Sequence, residues 1–118
     1  MILRSRRLAT SLILLAVLSL GCSTYRAAKL YQTGSASIGS PEPQNAISDL
    51  ERAVLLAPEV SQIRNHLGIA YAEAGRFQEA IQAFESAIRL DCDNSAAFQN
   101  LKWAERRFAE VKEAGAQQ

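Results

Sequence analysis

A chain of 118 residues with 48% apolar and 21% charged side chains can build one small domain with a modest core, and it does not have the composition of a disordered chain. Formal net charge is +1 from 13 basic and 12 acidic residues, but Arg4, Arg6 and Arg7 all stand in the first seven positions; without them 10 basic face 12 acidic residues, or −2. No basic stripe remains to displace counterions, so a nucleic-acid partner is excluded.

In chain order the first element is a leader. Three arginines precede an apolar run from Leu8 to Leu20, broken only by Thr10, Ser11 and Ser19, and Gly21-Cys22 follows. The run is shorter than the roughly 18 to 20 residues that cross a bilayer as a helix, which disfavours a permanent transmembrane anchor. "LSLGC" resembles a bacterial lipoprotein signal, in which a small residue precedes a cysteine that receives lipid and becomes the new N-terminus. Ser19 and Leu20 exchange the places that a leucine and a small residue commonly hold there. The resemblance implies a cleaved signal peptide over 1–21, a lipid on Cys22, a short tether over 22–26, and an exported, membrane-held protein on the periplasmic side. Ser23 after the cysteine, in place of an aspartate, implies the outer membrane in a Gram-negative host. An uncleaved anchor, or an ordinary leader leaving a free thiol, stays open on the same residues.

Self-comparison at a shift of 34 then aligns Ala46, Ile47, Glu51, Ala53 and Leu56 with Ala80, Ile81, Glu85, Ala87 and Leu90, and pairs Leu50 with Phe84 and Val54 with Ile88. Gly34 falls on Gly68, and Ala36 falls on Ala70 and then Ala104. Apolar residues recur at three and four within each unit, as in Ile63, Leu67, Ala70, Tyr71 and Ala74, which predicts two helices per unit. Gly75 is a stop for the first helix of the unit at 61–94, and "DCDNS" supplies capping side chains for the next start.

These residues resemble the tetratricopeptide repeat, a 34-residue helix-turn-helix. The unit at 61–94 matches through Leu67, Gly68, Tyr71, Ala80, Phe84 and Ala87, with Arg64 in place of the tryptophan and Cys92 in place of the proline. The unit at 27–60 keeps Gly34, Ala46, Leu50, Ala53 and Pro58. Its first helix is degenerate, because Thr33 and Ser37 replace a leucine and a tyrosine and "GSASIGSPEP" follows; the second, from about Gln44 to Leu56, is clear. The expected fold is all-α: two hairpins in a short right-handed α-solenoid, closed by a capping helix over 95–113 with a frayed tail at 114–118. In that helix Phe98, Leu101, Ala104, Phe108 and Val111 form the packing stripe.

The resemblance implies protein or peptide recognition, on the concave side lined by the first helix of each hairpin. Residues about 100 to 150 degrees from the packing stripes are Gln62, Asn65, His66 and Ile69 in one helix and Gln99, Asn100, Trp103 and Arg106 in the next. Trp103 lies off its helix's stripe and is the expected anchor. The lysines and arginine by which some members hold a C-terminal carboxylate are missing, which implies an internal or extended segment as partner. Homo- or hetero-oligomers are compatible with this composition, and a structural subunit of an envelope machine is the rival function, since about three repeats are needed for independent stability.

No catalytic function, metal or cofactor is expected. One histidine, His66, meets no Ser/Asp or cysteine grouping at these spacings, and Glu79 with Glu85 or Asp91 with Asp93 suit solvation and capping. Cys92 reads as a small residue at a helix end, with an intermolecular disulfide as the alternative.

Overall fold

The computed structural model describes residues 21–117; of the leader expected over 1–21, all but Gly21 lies outside the described residues. The described chain is helical wherever the three-and-four spacing runs: α1 over 21–36, α2 over Pro43–Leu56, α3 over Ser61–Glu73, α4 over Phe77–Leu90 and α5 over Ser95–Ala116. No strand occurs among the described residues. The two hairpins are α1 with α2 and α3 with α4; α1 packs on the α2–α3 core through Leu30 and Tyr31, α3 packs on α2, and α5 closes the stack against α4 and α3.

Local chemistry sets the helix ends. Pro43 occupies the first turn of α2, where its missing N–H is not needed. At the end of α3, Gly75 takes φ +74; its N–H donates to the Ala72 carbonyl at 3.0 Å and the Arg76 N–H to the Tyr71 carbonyl at 2.9 Å. That pair of bonds closes the last turn and requires the left-handed backbone that glycine adopts without strain. Asn94 caps α5 by accepting from the Ala97 N–H at 3.0 Å, while its Nδ2 donates to Ser61 Oγ at 2.8 Å. Ser61 Oγ in turn donates to the Ala87 carbonyl at 2.9 Å, so one residue at the start of α3 ties it to α4 and α5.

Packing follows the small residues. A Cβ on Gly68 would lie 2.5 to 2.9 Å from Phe84 ring atoms, and one on Gly34 would lie 2.7 Å from Leu50 Cγ. These two glycines let each hairpin's large side chain sit against the partner backbone. Phe84, Ile47 and Leu50 are the largest fully buried side chains. One core cluster joins Ala46, Ile47, Leu50 and Ala53 of α2 to Ile63, Leu67 and Ala70 of α3; another gathers Ala72, Ala80, Phe84 and Ala104.

Four expectations need correction. The first helix of the first unit is fully formed, because Leu30 and Tyr31 pack on the core where Thr33 and Ser37 do not. Thr33 Oγ1 donates to Asp49 at 2.6 Å and Ser37 Oγ to the Thr33 carbonyl at 3.0 Å, so both polar residues are satisfied at the helix end. The glycines and prolines after them make the turn, with Gly39 at φ +82. Residues 22–26, expected as a tether, are the first turns of this helix. The stripe on α5 is narrower than expected: Ala97 and Ala104 are fully buried, whereas Phe98, Phe108 and Val111 are 43%, 36% and 53% exposed. Only one side of α5 meets the stack, and among the described residues no further helix covers the other. The same helix runs on to Ala116 rather than ending at 113, its last turns exposed to solvent.

Candidate binding groove

Successive first helices of the stack, α1, α3 and α5, lie side by side and are joined by polar bridges at a constant offset. Asn100 Nδ2 donates to Asn65 Oδ1 at 3.0 Å between α5 and α3. One repeat earlier, the Tyr31 hydroxyl lies 3.4 Å from His66 Nδ1 between α1 and α3, with the rings edge-on at 5.1 Å between centroids. The two pairs are equivalent under the repeat, which carries Tyr31 onto Asn65 and His66 onto Asn100. His66 Nδ1 also lies 2.9 Å from the Gln62 carbonyl oxygen, holding the ring along its own helix.

Beside the Asn65–Asn100 bridge lies a groove of about 440 Å³ lined by Ile69, Ala72 and Glu73 of α3, Phe84 of α4, and Asn100 and Trp103 of α5. Its floor is apolar. Trp103 is 44% exposed and stands edge-on to Phe77 of α4, 6.0 Å between centroids, which holds the indole upright as one wall. At the rim, Glu73 is pinned toward the first hairpin by accepting from the Gly39 N–H at 2.9 Å. A cleft of this kind excludes water around an apolar side chain and leaves an amide and a carboxylate to meet its backbone.

Of the residues expected on this face, Ile69, Asn100 and Trp103 meet in the groove. Gln62, Asn65 and His66 line a separate polar recess with Asp91, Asp93, Asn94 and Ser95. Gln99 and Arg106 are exposed on α5 and line neither. Asn65 corrects its expectation outright: it is buried, and its amide oxygen is committed to Asn100. Ala72, Glu73 and Phe84 were missed. The first two follow Ile69 at three and four, the spacing that puts residues on one helix face; Phe84 reaches the groove from the second helix, which no one-helix pattern reveals.

On the opposite side of α3, Tyr71 donates to Glu51 Oε1 at 2.6 Å and carries the Arg76 guanidinium 4.6 Å from its ring centroid. Arg76 makes a forked ion pair with Glu79, whose hydrogen bond holds the Glu79 carboxyl below the usual range. These contacts lock the α3–α4 turn.

A family model for the tetratricopeptide repeat matches residues 31–97. Among solved structures, the second TPR of Spaghetti (RPAP3), bound to the HSP90 peptide SRMEEVD, superposes with a TM-score of 0.69 at 20% identity, over 79% of this chain and 86% of that one. MamA protein matches at TM-score 0.67 and 30% identity, over 76% of this chain and 49% of that one. A second MamA structure gives 0.64 and 27%, over 78% and 61%. The chain therefore spans only about half to three-fifths of the MamA chains it resembles.

Proposed function

Because this chain belongs to the tetratricopeptide repeat family, we propose that it is a membrane-tethered adaptor that captures an extended protein segment in the groove between α3 and α5. The observation that carries this reading is the groove's lining: an apolar floor between Trp103 and Ile69, with Asn100 and Glu73 at its rim. The only charged lining residue is an acid, which supports an internal segment anchored by an apolar side chain over a segment held by its terminal carboxylate. Peptide capture by a neighbour of the same fold supports a peptide-class partner. The tether rests on Arg4 to Cys22, with lipid on Cys22 placing the protein in a bacterial envelope; two or more acyl chains make such residence stable.

Partner capture from the native envelope by crosslinking tests the groove. Trp103→Ala and Ile69→Ser should each reduce capture at least tenfold, about 1.4 kcal/mol. The melting temperature of Trp103→Ala should hold, since the indole is half exposed. Capture that survives both substitutions moves the site elsewhere. Intact mass of the membrane-extracted chain tests the tether: a start at Cys22 with added acyl mass is expected, and Met1 retained on the wild type overturns it.

A second reading, a structural subunit of an envelope assembly, is favoured by the uncovered side of α5, where Phe98, Phe108 and Val111 are exposed. Sedimentation across a range of concentrations separates the two: an adaptor stays monomeric, and a stacking subunit self-associates or stays unfolded alone.

A further inference from the structure

Each helix of the stack reverses the one before it, so the start of α1 and the α2–α3 and α4–α5 tips share one edge. Ser23 Oγ meets the Leu56 carbonyl at 3.5 Å there, and the Ser61 and Asn94 bonds continue the edge to α5. The most exposed large apolar residues of the described chain stand at this place: Leu55 at 81%, next to the residue that Ser23 contacts, and Tyr25 at 69%, two residues after Ser23. Val60, at 40%, completes the tip and borders a shallow apolar groove of about 250 Å³ with Ala27, Ala28, Ala57 and Ile63. Such exposure stabilises nothing in water, and a cluster of it marks a contact surface.

What covers the surface follows from where the chain leads. Helix α1 is already formed at residue 21, so no flexible linker separates Cys22 from the domain. A bilayer holding Cys22, or holding the apolar run Leu8–Leu20 before it, lies within a helical turn or two of Tyr25 and the α2–α3 tip. The charges of α1 fit as well: between residues 21 and 41 the charged side chains are Arg26 and Lys29, both exposed, and against them the α2–α3 tip sets one exposed acid, Glu59, beside Val60. Asp91 and Asp93 sit at the far end of the same edge, on the α4–α5 tip.

We propose that this edge is a lipid-contacting surface, on which Tyr25, Leu55 and Val60 rest in the headgroup region of the bilayer with Arg26 and Lys29 beside anionic headgroups. Tyrosine suits that layer because its ring is apolar and its hydroxyl wet. Apolar contact and anionic attraction act together there. The proposal rests on the tether reading and adds orientation to it: the stack is held by its α1–α2–α3 end, with the α4–α5 tip lifted away and the α3–α5 groove open to the aqueous side.

The test uses the membrane-extracted full chain, whose Cys22 sulfur is blocked by acylation so that intact mass shows a single added environment-sensitive fluorophore, in vesicles of phosphatidylethanolamine and phosphatidylglycerol that carry nitroxide-labelled lipid. Leu55→Cys, in a Cys92→Ser background, should give blue-shifted emission quenched by the nitroxide. Native Cys92, and Ser40→Cys on the opposite edge in the Cys92→Ser background, should emit as in water. A vesicle-bound chain whose probe at 55 behaves like the probe at 40 overturns the surface and leaves the tether standing. A chain that fails to stay with the vesicles overturns both.

Discussion

Asn65 shows how a single amide changes role when it is buried. Its oxygen accepts from Asn100, so it joins two helices and is not offered to a ligand. Asn65→Ala leaves the Asn100 amide unmatched at a half-buried position and should cost about 1 to 3 kcal/mol in urea denaturation, the penalty of an orphaned polar group. Gln99→Ala, on the exposed face of α5, should stay within about 0.5 kcal/mol of wild type. Tyr71 is the second informative residue. Burial first, then the hydrogen bond to Glu51, pushes its phenol well above the ordinary value, with Arg76 opposing. A raised pKa means that the folded state favours the neutral phenol. The stability this brings is complete below the ordinary phenol pKa of about 10 and is lost as pH rises beyond it. Melting temperatures from about pH 8 to about 11 should therefore fall for the wild type and fall less steeply for Tyr71→Phe.

At the scale of elements, each hairpin is a glycine backbone against one large side chain. Gly68→Ala forces a methyl into the Phe84 ring and should cost about 1 to 3 kcal/mol by overpacking. Phe84→Ala should cost about 3 to 5 kcal/mol by leaving a cavity in the core of a small domain. The two sites touch, so Gly68→Ala combined with Phe84→Leu should be less destabilised than the sum of its singles, with a coupling of about 0.5 to 3 kcal/mol in a double-mutant cycle. Additive costs would mean that α3 and α4 do not meet where Gly68 and Phe84 place them. The periodicity that revealed these helices was legible because small and large residues alternate at fixed offsets in both units. The first half of the first hairpin was less so, since Leu30 and Tyr31 take over the packing that the family's usual positions would supply.

For the molecule as a whole, stability comes from stacking, because no hairpin buries its apolar face alone. Helix α5 covers Ala72 and Phe84 through Ala104 and Leu101, and its last turns are exposed. A chain ending at Asp93 should lose cooperative unfolding in a circular dichroism melt, whereas one ending at Val111 should melt like the full chain. Equal behaviour of the two truncations would show that α5 is not the cap.

Sequence by itself determined the all-α repeat, its period, the glycine stop at Gly75, a capping run over residues 91–95 and the shared helix faces on which Ile69, Asn100 and Trp103 stand. Each of these is a local property, written in helical spacing or in the chemistry of one turn. Tertiary structure alone decided that Asn65 is interior, that Phe84 reaches the groove from a second helix, and that Leu55 and Tyr25 share an edge with Cys22. Those facts depend on which helix lies beside which and by how much each is rotated, and the rotation is set by packing between residues far apart in the chain.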